Sequence, residues 1–194
     1  MGVTFDSEKQ MFVFDFEHDG VEDIVNLTGE GYQVEAFGKC FYYGYEFGEQ
    51  VDGAVRTAFI KHVKFSHNLQ DNPDLTQFIK KAIDDLSRRI NLYDYDLVVM
   101  PESSSYVNQY MLRYIYRFAQ PLLRKMELVL EKPMEEKLCS TIRQQNVLVI
   151  DDVTTSGSTL NEVLRTLRIL NEDNNIAIFS LIGRKDLMAE SMPV

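Results

Sequence analysis

Residues 147–160 read VLVIDDVTTSGSTL and decide the fold predicted for this chain of 194 residues. Four apolar residues predict a buried strand, two acidic residues end it, and a helix-like apolar spacing begins after Gly157. A buried strand that leads through a short glycine loop directly into a helix is typical of a parallel α/β sheet. Because ligands of such sheets bind beyond the carboxyl ends of the strands, we expect a binding site in this loop.

The remainder of residues 74–194 repeats the alternation of strand and helix. Further apolar runs predict buried strands at residues 97–100, 126–130 and 176–182. Apolar stripes at helical spacing predict helices over residues 75–90 and 107–118. We therefore expect an α/β core over residues 74–194, in which helices flank a parallel sheet.

The first 73 residues have a different pattern, in which aromatic residues alternate with polar ones and glycines interrupt the runs. The alternation predicts short antiparallel strands at residues 11–16, 21–27, 32–37 and 39–45. A helical stripe over residues 51–65 follows them. Because a small antiparallel sheet is marginally stable alone, we expect residues 1–73 to form a β-rich hood over the carboxyl ends of the core strands.

Composition excludes several classes of protein. The chain has 20 basic and 30 acidic residues, a net charge of −10, which argues against direct binding to nucleic acid. No apolar run approaches the roughly 18–20 residues that span a bilayer, and the first residues do not resemble a signal peptide. Cys40 and Cys139 form no metal or disulfide pattern. We expect a cytoplasmic protein that does not bind membranes.

The loop after residue 150 has the chemistry of a sugar-phosphate site. A helix N-terminus with hydroxyl side chains and a glycine suits a phosphate group. The candidate phosphate-binding residues are Thr154, Thr155, Ser156, Gly157, Ser158 and Thr159. Asp151 and Asp152 can accept hydrogen bonds from vicinal sugar hydroxyls, or hold Mg²⁺ through water. Together these groups predict a site for ribose 5-phosphate.

This stretch resembles the binding motif for phosphoribosyl pyrophosphate (PRPP) in the type I phosphoribosyltransferases. That motif has four apolar residues, two acidic residues and a threonine-rich glycine loop; this chain has Thr155-Ser156-Gly157 where the family usually has Thr-Thr-Gly. Within the family the chain is most similar to the ComF-type branch, through residues 41–43 and the helix up to Lys64-Phe65. The N-terminal zinc-binding cysteines of that branch are absent.

The resemblance implies a Mg²⁺-dependent transferase that moves the 5-phosphoribosyl group of PRPP to a nitrogen acceptor and releases pyrophosphate. Asp151 and Asp152 would be the catalytic and metal-binding pair. The loop after the first core strand would bind pyrophosphate, through Glu102, Ser103, Ser104 and Ser105. Residues 131–145 would match the flexible catalytic loop of the family, with Lys132, Lys137 and Arg143 as candidate cations. A homodimer is one expected assembly.

Alternatives remain open at this level. The serines at residues 103–105 also suit a simple helix cap, and the cluster of aromatic residues at 41–45 fits a core better than a base-stacking surface. The sequence does not identify the acceptor. A non-catalytic protein that senses PRPP or a nucleotide, or a competence-type interaction protein, is the alternative function on the same fold.

Overall fold

The computed structural model describes residues 2–9, 11–28, 32–36, 39–47, 51–65, 73–101, 105–118, 126–130, 145–170 and 175–183. The strands are β1 (Gly2–Asp6), β2 (Met11–His18), β3 (Val21–Thr28), β4 (Tyr32–Ala36), β5 (Lys39–Phe47), β6 (Leu97–Pro101), β7 (Met126–Leu130), β8 (Asn146–Val153) and β9 (Asn175–Gly183). The helices are α1 (Gly53–Lys64), α2 (Pro73–Arg89), α3 (Tyr106–Phe118) and α4 (Ser158–Leu170).

The described strands form a nine-stranded sheet in the order β1-β2-β3-β5-β9-β8-β6-β7, with β4 paired to β5. Strand β8 lies between β6 and β9, and all of the pairings among β6, β7, β8 and β9 are parallel. Helices α3 and α4 connect successive parallel strands. This confirms the predicted fold class, because buried parallel strands need helical crossovers that cover their faces.

The predicted N-terminal antiparallel strands are present, and β1 joins them as a strand that the sequence pattern did not indicate. Their position differs from the expected hood. Strand β5 pairs in parallel with β9, with Phe41 opposite Ile178, so the N-terminal strands extend the core sheet sideways instead of covering its strand ends. One sheet therefore runs across residue 73, and a division into two domains there stays a prediction.

Apolar side chains cover both faces of the sheet. Helices α1, α2 and α3 pack on one face, and α4 packs on the other with Phe41 and Tyr43. On the first face Phe12, Phe14 and Phe78 make edge-to-face contacts. The aromatic residues of β5 are therefore core residues, as their pattern favoured. Among the described residues, none of the helices combines the length and apolar character that crossing a membrane requires.

Helix α2 lies so close to β5 that only glycine fits at residue 44. A Cβ atom on Gly44 would lie 2.6 Å from the Cβ of Ala82 and 3.0 Å from the carbonyl oxygen of Leu181. We expect Gly44→Ala to lower the free energy of unfolding by about 1–3 kcal/mol, which in a chain of this size lowers the melting temperature by about 2–4 °C per kcal/mol.

Gly53→Ala is the matched control, because a Cβ at this first residue of α1 meets no atom within 4 Å. Thermal unfolding followed by circular dichroism measures both variants. Equal melting temperatures for the two variants would contradict this account of the contact between α2 and β5.

Candidate functional site

Strand β8 carries two carboxylates near its carboxyl end, between the parallel strands β6 and β9. Asp151 and Asp152 are 6% and 0% exposed, although both stand at the carboxyl end of the strand. The backbone N–H of Thr154 donates to the carbonyl of Ile182 at 2.9 Å, which fixes the start of the following loop against β9. The acidic pair is therefore buried, unlike an ordinary strand end in solvent.

The loop after β8 surrounds a cleft of about 100 Å³. That is several times the roughly 10–15 Å³ that one water molecule needs by the same measure, and it admits a group as large as phosphate. Gly157 has a φ of +73°, a conformation that favours glycine, and α4 begins at the next residue. The cleft is lined by Lys64, Pro101, Asp151 and residues 153–160.

The structure brings the predicted phosphate-binding residues together. All six residues from Thr154 to Thr159 line this cleft, and Asp151 lines it with them. Asp152 is not part of this lining; it is buried and pairs with Lys64 at the end of α1. Because a helix N-terminus carries unpaired N–H groups and the positive end of the helix dipole, the start of α4 favours an anion here.

The two carboxylates have different partners. Asp152 Oδ1 accepts a hydrogen bond from the backbone N–H of Val153 at 2.7 Å and pairs with Lys64 Nζ at 3.2 Å. Asp152 Oδ2 is buried and has no hydrogen-bond partner among the described residues. Asp151 Oδ1 accepts from the backbone N–H of Asp152 at 3.0 Å. One buried carboxylate oxygen is thus left to interact with a ligand or a cation.

Burial, and after it the adjacent charge of Asp152, raise the pKa of Asp151 to about 7. Lys64 acts in the opposite direction and lowers the pKa of Asp151. The acidic pair therefore holds a proton more readily than two solvated carboxylates would, because two buried neighbouring charges repel each other. A hydroxyl donor or a cation in this place would stabilise the ionised pair.

Two residues of the site were not predicted from the sequence. Lys64 is the last residue of α1 and lines the cleft. Asn108, in the first turn of α3, is 1% exposed and lies close enough to Asp151 to lower the pKa of that carboxyl. Within the described part of the chain, neither amide atom of Asn108 makes a hydrogen bond of standard geometry, and the buried hydroxyl of Thr154 makes none. Unpaired buried polar groups are rare in proteins, so this group indicates a ligand site.

The sequence also predicted site residues outside the loop after β8. Ser105 is described, is 1% exposed and precedes α3. The remaining candidates fall outside the described residues: Glu102, Ser103, Ser104, Lys132, Lys137 and Arg143. Their roles stay predictions.

The donor set of the acidic pair suits Mg²⁺. This ion takes oxygen ligands, and proteins often bind it through one or two carboxylates plus substrate phosphates. Asp151 and Asp152 supply such oxygens, and no described residue pairs with Asp152 Oδ2. Within the part of the chain that the structure describes, no cluster of three or more His, Cys, Asp or Glu residues could enclose a metal ion.

Comparisons with known proteins gave matches among solved structures alone. No protein-family model and no curated protein matches the sequence. A hypoxanthine-guanine-xanthine phosphoribosyltransferase is 15% identical with a TM-score of 0.44, covering 61% of this chain and 68% of its own. The enzyme of Leishmania tarentolae in complex with GMP is 12% identical with a TM-score of 0.40, covering 61% and 68%. A hypoxanthine phosphoribosyltransferase of Trypanosoma cruzi with its product IMP is 16% identical with a TM-score of 0.41, covering 61% and 66%.

The raised pKa of Asp151 predicts how stability depends on pH. Folded Asp151 keeps a proton that the unfolded chain releases above about pH 4, so the free energy of unfolding should fall as the pH rises from about 4 to about 7. Asp151→Asn should lose this part of the pH dependence. At pH 8 it should be more stable than the wild-type protein, since one pKa unit corresponds to about 1.4 kcal/mol.

Thermal unfolding between pH 4 and pH 8 checks this expectation. Asp15→Asn is the control, because Asp15 is exposed on β2 and its substitution removes the same charge without relieving burial. If Asp151→Asn is less stable than the wild-type protein at pH 8, the account of a buried acidic pair with a raised pKa at Asp151 is wrong.

Proposed function

We propose that the protein is a Mg²⁺-dependent phosphoribosyltransferase, which binds PRPP and transfers its 5-phosphoribosyl group to a nitrogen acceptor. One observation carries the proposal: a buried pair of carboxylates lies beside a phosphate-sized cleft at the start of α4. A phosphate site next to two hydrogen-bond acceptors matches the two ends of ribose 5-phosphate. The burial of both carboxylates favours a binding role over a solvated strand end.

In this proposal the loop residues Thr155, Ser156 and Ser158 hold the 5-phosphate with their hydroxyl and backbone N–H groups. Asp151 and Asp152 accept hydrogen bonds from the ribose hydroxyls and thereby orient the C1 carbon. The acceptor nitrogen forms a bond to C1 while the bond from C1 to the pyrophosphate oxygen breaks. Pyrophosphate leaves with the bonding electron pair, the configuration at C1 inverts, and the acceptor nitrogen releases its proton to solvent.

The protein contributes mainly position and charge to such a reaction. Fixing C1 relative to the acceptor removes much of the entropic barrier, and charge that develops on the sugar lies beside the acidic pair. Asp151 and Asp152 are the residues that would hold Mg²⁺. When bound, Mg²⁺ supplies positive charge that stabilises the pyrophosphate leaving group.

PRPP with Mg²⁺ should stabilise the folded protein. At about one hundred times its dissociation constant, a ligand adds about 2.7 kcal/mol, which corresponds to about 5–11 °C in melting temperature for a chain of this size. Differential scanning fluorimetry measures the shift. No shift at millimolar PRPP with Mg²⁺ would contradict the proposal.

Turnover is measured as pyrophosphate release from PRPP in the presence of nucleobases, amines or ammonia. We expect release with one class of acceptor and none without an acceptor. Stabilisation by PRPP without release for any acceptor would favour the non-catalytic sensing function instead. The structures from Leishmania tarentolae and Trypanosoma cruzi contain GMP and IMP, so purine bases are the first acceptors to test.

Variants of the two halves of the site should respond differently. Asp151→Asn with Asp152→Asn should weaken PRPP binding at least about tenfold, because hydrogen bonds to charged groups contribute about 1.5–3 kcal/mol each. Inorganic phosphate should bind this double variant at least as well as wild type, since two repelling charges are gone. Thr155→Val keeps the side-chain volume and should weaken both ligands.

Isothermal titration calorimetry with PRPP and with inorganic phosphate separates these effects. Normal binding of PRPP by the double variant would mean that the acidic pair does not contact the sugar. If Thr155→Val binds phosphate as tightly as the wild-type protein, the Thr155 hydroxyl does not contribute to the proposed site.

A further inference from the structure

We propose that Lys64 is a further ligand-binding residue, whose ammonium group pairs with the phosphate group that enters the cleft beside Asp151. This inference rests on the proposed function and deepens it. It assigns a role in the site to the N-terminal part of the chain, through the last residue of α1.

The position of Lys64 allows this role. Its Nζ lies 3.2 Å from Asp152 Oδ1, and its side chain is 35% exposed whereas that of Asp152 is 1% exposed. The lysine thus contacts the buried carboxylate and still reaches the open part of the site. It lines the same cleft as the loop residues from Thr154 to Thr159, and among the described residues of that lining it is the one cation.

The charge of the site calls for such a cation. Two carboxylates lie beside a cleft whose shape and hydroxyl groups suit an anion, and unopposed carboxylates would repel that anion. The dipole of α4 offsets part of this repulsion. Lys64 adds a full positive charge that contacts Asp152 and lines the cleft, where it can attract phosphate and reduce the repulsion at the same time.

The ion pair with Asp152 does not commit Lys64 to a structural role. Asp152 keeps the hydrogen bond from the Val153 N–H if the ammonium group moves, and a ligand hydroxyl or a cation can pair with its second oxygen. The backbone of α1 is held independently, because Phe59 and Val63 are fully buried. The lysine side chain has four rotatable carbon–carbon bonds, so the ammonium group can turn towards a phosphate without a shift of the helix.

A double-mutant cycle with inorganic phosphate as the probe tests the proposal by isothermal titration calorimetry. Lys64→Gln should weaken phosphate binding about tenfold, as expected for one charge-assisted hydrogen bond, and Lys64→Arg should retain most of the affinity. Lys61→Gln, one turn earlier on α1 and exposed, is the matched control and should bind phosphate normally. Circular dichroism establishes that each variant is folded.

The decisive comparison uses Asp152→Asn as the background. If Lys64 contacts phosphate itself, Lys64→Gln weakens phosphate binding about as much in that background as in wild type. A loss that occurs only when Asp152 is intact would overturn the proposal, because Lys64 would then act through the carboxylate alone. Normal phosphate binding by Lys64→Gln would overturn this proposal while PRPP binding by wild type sustains the proposed function. A wild-type protein that binds neither ligand would overturn both.

Discussion

Two adjacent carboxylates are buried at the end of a central strand, and the rest of the site is arranged around them. Burying charge is unfavourable unless each charge is paired. For these two carboxylates the described residues provide one ion pair, between Lys64 and Asp152. Among the described residues, Asp152 Oδ2 and both amide atoms of Asn108 make no hydrogen bond of standard geometry. Uncharged residues here would avoid the burial of two neighbouring like charges, so the acidic pair lowers the stability of the fold.

The sheet provides the position of this pair. Strand β8 lies between β6 and β9, and its carboxyl end opens directly into the loop that precedes α4. The N-terminal strands contribute to the site indirectly. They widen the sheet through the pairing of β5 with β9, and their aromatic side chains form the core against which Phe59 of α1 packs. That packing places the end of α1, and therefore Lys64, beside Asp152.

The part of the site that is contiguous in sequence could be predicted, because strand, acidic pair, glycine loop and helix follow one another within residues 147–160. Lys64 and Asn108 could not be predicted in the same way, since tertiary packing of α1 and α3 brings them to Asp152 and Asp151 from distant parts of the chain. A polar residue beside the apolar stripe of α3 was the one signal for Asn108. The alternation of aromatic and polar residues predicted the N-terminal strands, but it contained no information about the strand of the core sheet with which they pair.

The central claim is that the acidic pair binds the ribose hydroxyls while the loop holds the phosphate. The most direct test compares ribose 5-phosphate with 2-deoxyribose 5-phosphate by isothermal titration calorimetry on the wild-type protein. The account predicts that ribose 5-phosphate binds about tenfold more tightly, because one hydroxyl-to-carboxylate hydrogen bond is lost with the deoxy sugar. It also predicts that the difference disappears when Asp151 and Asp152 are both replaced by Asn. Equal affinity of the wild-type protein for the two sugars would contradict the account.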